Sequence, residues 1–270
     1  MPFALDPNHS YLMPAHLGAL QFPSGTSGWY HDVTAMTLSY VTDADRLAGL
    51  LPAPFDVGEE PLVSVVYARN RQVDWLAGHG YNLVAVNASA VYRGSAEELE
   101  GTFTLVMWEN LTDPILSGRE LQGIPKLYAR IPDHSVVQGV WRATAGHFGH
   151  PIVDLTARGL REATDAEIAD TLAAREGRDH PMAWRYLPGI GGAGTAVSEP
   201  TSVPSEHRFD EILVGEGTVE WHHLTWEQNP TQFHYVNALA DLPILEQRPA
   251  VVTRGATNLA VLDRLPRRLG

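Results

Sequence analysis

Short runs rich in valine, threonine and aromatic residues follow one another through most of this chain, and they limit the folds open to it. Clear examples span residues 61–69, 81–93 and 101–110, and further runs lie within 135–158 and 182–226. Such runs are typical of β-strands, and the short polar or glycine-containing stretches between them favour antiparallel neighbours. The sequence therefore predicts a mainly β protein of the α+β class with few helices.

Helical signals are fewer. Thr164, with Glu167 three residues later, makes a capping box, and this pair predicts a helix over residues 165–176. A short helix is predicted at residues 44–51, and a last one around residues 256–265.

The first 28 residues are rich in proline, glycine and serine and show no sustained periodicity. We expect residues 1–28 to form an arm that lies on the body of the protein or on a neighbouring subunit. Strand-like runs lie on both sides of the helical segment at 159–180, so no change in composition separates two domains. The prediction is a single domain over residues 29–270.

Charge and composition argue against several kinds of partner. A net charge of −13 repels the phosphates of nucleic acids and anionic membrane surfaces. The chain has no cysteine, which excludes disulfides and thiolate metal sites. No secretory signal pattern and no run of about 18 apolar residues is present. We expect a cytoplasmic protein that binds neither nucleic acid nor membranes.

Two motifs point weakly to cofactors. Gly189, Gly191 and Gly194 have the spacing of a dinucleotide-binding fingerprint, but no strand and helix flank them in the required order. His147 and His150 lie close in sequence, but no carboxylate stands at a ligand spacing from them on a helix. The sequence therefore predicts no cofactor and no metal.

Lysine occurs once. Lys126 is the single lysine among 19 basic residues, and the others are arginines. Both residue types supply positive charge, but lysine alone can lose its proton and attack a carbonyl carbon as an amine. A lysine that persists in such an arginine-rich chain is a candidate for Schiff-base chemistry, with chance persistence as the alternative.

The residues around Lys126 suit that role. Apolar side chains flank it on both sides, among them Ile124 and Leu127, and burial among them would favour the free amine. Pro125 restricts the backbone that leads into the lysine. A stiff approach fits a nucleophile that has to be aimed.

The segment GRELQGIPKLYA, residues 118–129, is similar to the active-site segment of the acetoacetate decarboxylase-like superfamily. Further pieces follow the family's order: residues 40–65, YNLVAVNASAVYRG at 81–94 and DLP at 241–243. The resemblance implies a largely antiparallel, cone-like β-barrel with peripheral helices, an enclosed pocket and a homo-oligomer. It also implies that Lys126 is the Schiff-base nucleophile.

This chain departs from the family at four positions where the decarboxylases carry charged residues. Where decarboxylases of the family carry a second lysine, this chain has Leu127. Their arginine aligns with Val33, and their two glutamates align with Val66 and Leu83. The loss of these groups beside a retained lysine argues for Schiff-base chemistry other than acetoacetate decarboxylation.

Two polar residues complete the predicted site. Gln122, four residues before the lysine, resembles the branch of the superfamily that performs aldol condensation and dehydration with a 2-oxo acid such as pyruvate. Tyr81 precedes the altered strand position at Leu83, and we expect it to donate a hydrogen bond into the same pocket. The alternatives are a solvent-facing glutamine and a core tyrosine, and we interpret Arg119 and Glu120 as a structural ion pair.

The leading hypothesis is a lyase whose single lysine condenses a pyruvate-like 2-oxo acid with an aldehyde and then eliminates water. One alternative is decarboxylation of a β-keto acid. An alternative of another class is a barrel that binds a small carbonyl compound, or cyclises one, without covalent chemistry. The general acid or base stays unassigned, because such groups are recognised by geometry.

Overall fold

The computed structural model describes residues 4–173, 180–259 and 266–270, and most of these residues lie in β-strands. The strands are β1 (Trp29–Val41), β2 (Phe55–Val57), β3 (Leu62–Val73), β4 (Tyr81–Arg93), β5 (Glu98–Glu109), β6 (Lys126–Tyr128), β7 (Ser135–Val137), β8 (Val140–His147), β9 (His150–Glu162), β10 (Pro181–Pro188), β11 (Thr195–Ser202), β12 (Glu206–Trp221), β13 (Glu246–Gln247), β14 (Ala250–Asn258) and β15 (Arg267–Arg268). The helices are α1 (Ala44–Ala48), α2 (Thr112–Ser117), α3 (Asp165–Ala173) and α4 (Phe233–Ala240).

All of these strands belong to one sheet. Its order is β15-β11-β10-β5-β4-β3-β1-β14-β12-β9-β8-β7, and β13, β2 and β6 pair with β1, β4 and β5. Neighbours are antiparallel except in two places, where β10 and β6 each run parallel to β5. The prediction of a mainly β fold with few helices is confirmed, and the sheet is mixed only around β5.

The two faces of the sheet have different surroundings. Along β1, Met36, Leu38 and Tyr40 are buried in the main hydrophobic core. The alternate residues, such as Ala35 and Thr37, line a large cavity. Because successive side chains of a strand point to opposite faces, each central strand contributes to both the core and the cavity.

The main core packs α1 and α4 against the face of the sheet opposite the cavity, through Leu47, Val236 and Leu239. Trp108 of β5 is fully buried, and its Nε1 donates a hydrogen bond of 2.8 Å to Oε1 of Gln232, the residue before α4. Nε2 of Gln232 donates to the carbonyl of Tyr128 in β6 at 3.0 Å. One buried amide therefore connects the start of α4 to both β5 and β6.

The predicted helices have different outcomes. The capping box is confirmed: Thr164 N donates to Glu167 Oε2 at 2.9 Å and Glu167 N donates to Thr164 Oγ1 at 3.3 Å. The helix at 44–51 is confirmed in shorter form, because Gly49 caps α1. The helix at 256–265 is wrong for residues 256–258, which continue β14, and residues 260–265 lie outside the described part. Pairing of β14 with both β1 and β12 overrides the local helical signal.

The described part of the arm, residues 4–28, has no buried residue and a single short 3₁₀ turn at Ala15–Leu17. Ser27 ties its end to the body by donating a 2.5 Å hydrogen bond to Asp74. The boundary at residue 28 and the single domain over 29–270 stay predictions. No helix in the described residues has the length and apolar composition needed to cross a membrane.

The packing of Trp108 predicts a large effect on stability. We expect Trp108→Ala to lower the free energy of unfolding by about 3–5 kcal/mol, because it leaves a large cavity and removes the partner of the buried Gln232. Trp226 is 62% exposed and provides the control, with an expected change of about 0.5 kcal/mol or less for Trp226→Ala. Urea denaturation of both variants measures the difference, and equal losses would contradict this account of the core.

Candidate active site

The face of the sheet opposite the main core lines a cavity of about 800 Å³. Side chains from β1, β3, β4, β5, β6, β12 and β14 line it, and most of them are apolar or carry neutral hydroxyl and amide groups. The charged side chains among those that line the cavity are Lys126, Glu109, Arg208 and Arg248. A mostly apolar cavity with a few convergent polar groups is the usual form of a small-molecule site.

The strand register arranges the cavity-facing residues in rows that cross the sheet. Each row is given in the direction from β6 toward β1: the Lys126 row (Lys126, Met107, Ala85, Val66, Thr37), the Glu109 row (Glu109, Leu83, Ala68, Ala35), the Asn70 row (Tyr81, Asn70, Val33) and the Asn87 row (Thr104, Asn87, Ser64, Ser39). The Glu109 and Asn70 rows lie on one side of the Lys126 row, and the Asn87 row lies on the other.

Lys126 is buried, with 4% of its surface exposed. Its Nζ lies 2.9 Å from Oε1 of Glu109 and donates a 3.1 Å hydrogen bond to the carbonyl of Pro114. The amine therefore lies between a carboxylate and a main-chain oxygen, at the wall of the cavity.

Glu109 is fully buried, and its Oε2 has no hydrogen-bond partner among the described residues. Burial raises the pKa of this carboxyl, and the positive charge of Lys126 opposes that shift. A carboxyl group with a raised pKa beside a buried amine is suited to accept and return a proton.

The chain around Lys126 is built to place its side chain. Residues Gly118–Gln122 form a π-helical turn, which ends at Gly123 with a φ of 81°. Arg119 Nη1 donates a 2.8 Å hydrogen bond to the carbonyl of Lys126 and so holds the main chain at the start of β6. A Cβ on Gly118 would lie 2.4 Å from Cε and 2.7 Å from Nζ of the lysine. The absence of a side chain at 118 therefore makes room for the amine.

The structure brings one of the two other predicted site residues to the cavity. Tyr81 is buried, lines the cavity and shares a 3.2 Å hydroxyl hydrogen bond with Tyr30. The side chain of Gln122 is not among those that line it, and the Gln122 carbonyl accepts a 2.8 Å hydrogen bond from Thr201. A catalytic role for either residue stays a prediction.

The four positions that depart from the family pattern divide into two groups. Val33, Val66 and Leu83 line the cavity, so its wall is apolar where the resemblance places charges. Leu127 instead lines a separate apolar pocket of about 270 Å³ on the other face of β6. A charge at that position would not face the cavity described here.

Other sequence motifs lie outside this cavity. The Gly189–Gly194 segment connects the antiparallel strands β10 and β11, so it is not a strand-to-helix turn. His147 Nδ1 lies 3.1 Å from Asn229 Oδ1. In the described ranges, no three or more His, Asp or Glu side chains are grouped to hold a metal ion. Arg119 contacts the Lys126 carbonyl, and no ion pair with Glu120 is found among the described contacts.

Sequence reasoning missed Glu109. Alternation along β5 predicts that the even-numbered positions face the cavity, because Thr102 and Thr104 face it two residues apart. The pairing of β5 with β4 is irregular between Thr104 and Val106, where β5 contains one extra residue. Beyond this irregularity, Met107 and Glu109 are the residues that face the cavity. A shift of one residue exchanges the faces of a strand, which hides Glu109 from a simple periodic reading.

Comparison with known proteins places these features in a family. The sequence profile of the acetoacetate decarboxylase (ADC) family matches residues 13–260. An acetoacetate decarboxylase of Burkholderia mallei (strain NCTC 10229) is 36% identical over 95 residues, which cover 35% of this chain and 36% of that relative. The alignment thus spans about a third of the length of this curated relative.

Two solved structures share the fold. The acetoacetate decarboxylase of Legionella pneumophila superposes with a TM-score of 0.71 at 17% identity and covers 98% of both chains. The enduracididine biosynthesis enzyme MppR, in complex with the condensation product of pyruvate and imidazole 4-carboxaldehyde, has a TM-score of 0.67 at 13% identity. That alignment covers 94% of this chain and 93% of MppR. At these identities the likeness establishes the fold.

The close approach of Gly118 to the lysine is directly testable. We expect Gly118→Ala to displace the Lys126 side chain from Glu109, because the new Cβ occupies its path. Gly49→Ala is the matched control: both glycines cap a helix in the right-handed region, and the nearest atom to a Cβ at 49 is 3.3 Å away. With ¹³C-labelled lysine the chain gives one ε-carbon signal, which should shift in Gly118→Ala and stay in place in Gly49→Ala. An unshifted signal in Gly118→Ala would contradict this role of the glycine.

Proposed function

The chain belongs to the acetoacetate decarboxylase family, and from that premise we propose that it is a lyase in which Lys126 forms a Schiff base with a small carbonyl compound. The observation that carries the proposal is the buried amine of Lys126, which lies 2.9 Å from a buried carboxylate at the wall of the cavity. A metal ion or cofactor is not required for this chemistry.

Glu109 is proposed as the acid and base of the reaction. Transfer of a proton from Lys126 to Glu109 converts a buried ion pair into a neutral amine and a neutral acid, and burial favours the neutral forms. The amine then attacks the carbonyl carbon. Glu109 donates its proton to the departing hydroxyl, water leaves, and a positively charged iminium remains beside the regenerated carboxylate.

We propose aldol condensation and dehydration as the reaction that follows. With a 2-oxo acid such as pyruvate, the iminium acidifies the neighbouring C–H, and the Glu109 carboxylate removes that proton to give an enamine. The enamine carbon bonds to the carbonyl carbon of an aldehyde, and the new alkoxide takes the proton back. Loss of a second C–H proton expels the hydroxyl as water, and hydrolysis of the imine releases an unsaturated 2-oxo acid.

Two observations favour this course over decarboxylation. Val33, Val66 and Leu83 leave the cavity wall uncharged where the resemblance places an arginine and two glutamates. The condensation product held by MppR is the type of compound that this reaction makes, although that likeness by itself shows only the fold. Decarboxylation of a β-keto acid is the second candidate, supported by the family profile and by the names of the relatives. The homo-oligomer and the cytoplasmic location also stay proposals.

A trapping experiment tests the covalent step. We expect incubation with pyruvate or acetoacetate, followed by borohydride reduction, to add one adduct to the intact mass, located at Lys126. Lys126→Arg should abolish the adduct. The double variant Lys126→Arg/Arg158→Lys provides a control, because Arg158 is exposed on β9 and a lysine there should not be trapped. A wild-type protein that gives no adduct with either compound would favour non-covalent binding and overturn the proposal.

The role of Glu109 predicts a pH dependence. In D₂O the enzyme should exchange the methyl protons of pyruvate, at a rate that rises with pH as the carboxylate base forms. Because burial raises the Glu109 pKa, we expect the exchange rate to increase over a higher pH range than it would with an ordinary glutamate as the base. Glu109→Gln should lower the exchange rate about 100-fold or more and remove this rise. Proton NMR measures the exchange, and a variant rate within threefold of wild type would exclude Glu109 as the base.

A further inference from the structure

The Asn70 row contains a polar group that neither the fold nor the proposed proton transfers use. Asn70 lies on β3, is 5% exposed and lines the cavity. Its Nδ2 has no hydrogen-bond partner among the described residues. A buried amide donor without a partner lowers the stability of the folded protein. At a cavity wall, such a donor indicates a position where a ligand oxygen binds.

Tyr81 lies directly opposite Asn70 in the pairing of β3 with β4. Residues opposite each other on an antiparallel pair have Cβ atoms about 4.5–5.5 Å apart, so both side chains face the same part of the cavity. The pair is built from neutral groups, because burial raises the pKa of Tyr81 well above its ordinary value and keeps the hydroxyl protonated.

Tyr81 belongs to a short chain of hydrogen bonds at the wall of the cavity. Trp75 Nε1, which can only donate, gives a 3.1 Å hydrogen bond to the Tyr30 oxygen. Tyr30 is itself buried, and its hydroxyl shares a 3.2 Å hydrogen bond with that of Tyr81, in which either group can be the donor. In the arrangement in which Tyr30 donates, the Tyr81 O–H can donate to a ligand in the cavity.

The distance from the lysine suits a short substrate. The Glu109 row separates the Asn70 row from the Lys126 row, and the Lys126 side chain already extends to Glu109. One row corresponds to two residues of strand, or about 7 Å. When a substrate carbon is bonded to Lys126 Nζ, a substrate group one or two bonds from that carbon therefore comes within reach of the Asn70 row.

We propose that Asn70 Nδ2 and the Tyr81 hydroxyl form a neutral oxygen-binding site for the carboxylate of the 2-oxo acid whose ketone reacts with Lys126. This inference rests on the proposed function and names the substrate class of the same site. Two other cations line the cavity, and both are paired: Arg208 with Glu206 at 3.0 Å, and Arg248 with Glu60 and Glu246. The carboxylate is therefore held by dipoles, and Asn70 and Tyr81 are the residues that position the ketone against the amine.

Trapping with two carbonyl compounds distinguishes a carboxylate-binding role of Asn70 and Tyr81 from a purely structural one. Pyruvate carries the carboxylate, whereas acetone has the same ketone and no further oxygen. We expect Asn70→Leu and Tyr81→Phe each to raise the pyruvate concentration that gives half-maximal borohydride trapping by about tenfold or more, because each removes a hydrogen bond to a charged group. The acetone concentration for half-maximal trapping should change less than threefold. Melting temperatures check that the variants are folded.

Asn87→Leu is the matched control, since Asn87 lies on β4 in the row on the other side of Lys126. It should change the pyruvate concentration less than threefold. Equal changes for pyruvate and acetone in Asn70→Leu, or a tenfold change for pyruvate in Asn87→Leu, would overturn the site. If the wild type traps neither compound, the lyase proposal fails, and calorimetry with Lys126→Met decides on the oxygen site. Pyruvate binding that Asn70→Leu removes would support it, and no pyruvate binding would overturn it.

Discussion

The buried contact between Lys126 and Glu109 is the interaction on which the rest of the site depends. Removing two charges from water is costly, and a single 2.9 Å contact offsets that cost only while its geometry is maintained. Gly118 leaves space for the lysine stem, Arg119 holds its main chain, and the parallel pairing of β6 with β5 brings the two residues together.

A second constraint is that each central strand has to serve a packed core and an open cavity at once. The core face is filled by large side chains such as Tyr40 and Trp108, while the cavity face carries small or short ones such as Ala35, Thr37 and Ala85. The difference in size between the two faces maintains the cavity without weakening the core. It also makes the rows of the cavity chemically distinct, with an ionisable pair between two rows of neutral polar groups.

Much of this was accessible from the sequence. The strand runs predicted the mainly β fold, and one lysine in an arginine-rich chain identified the residue that the structure places at the cavity wall. Glu109 was missed because an extra residue in β5 reverses which side chains face the cavity, and Asn70 because an unpartnered amide has no sequence signature. The helix expected at 256–265 fails at residues 256–258 because β14 is paired on both edges, which no local pattern reports. Gln122 was predicted from its spacing and from the resemblance, and the structure shows its carbonyl accepting a hydrogen bond from Thr201, while a role for its side chain stays a prediction.

The placement of the one lysine inside the sheet also determines the chemistry of the protein's exterior. All other basic side chains are arginine or histidine, so apart from the amino terminus the surface presents no primary amine. Amine-directed reagents that modify most proteins at many surface lysines have one lysine to modify here, and it is buried at the wall of the cavity. The rate at which such a reagent reacts therefore reports on access to the cavity and on release of the amine from Glu109.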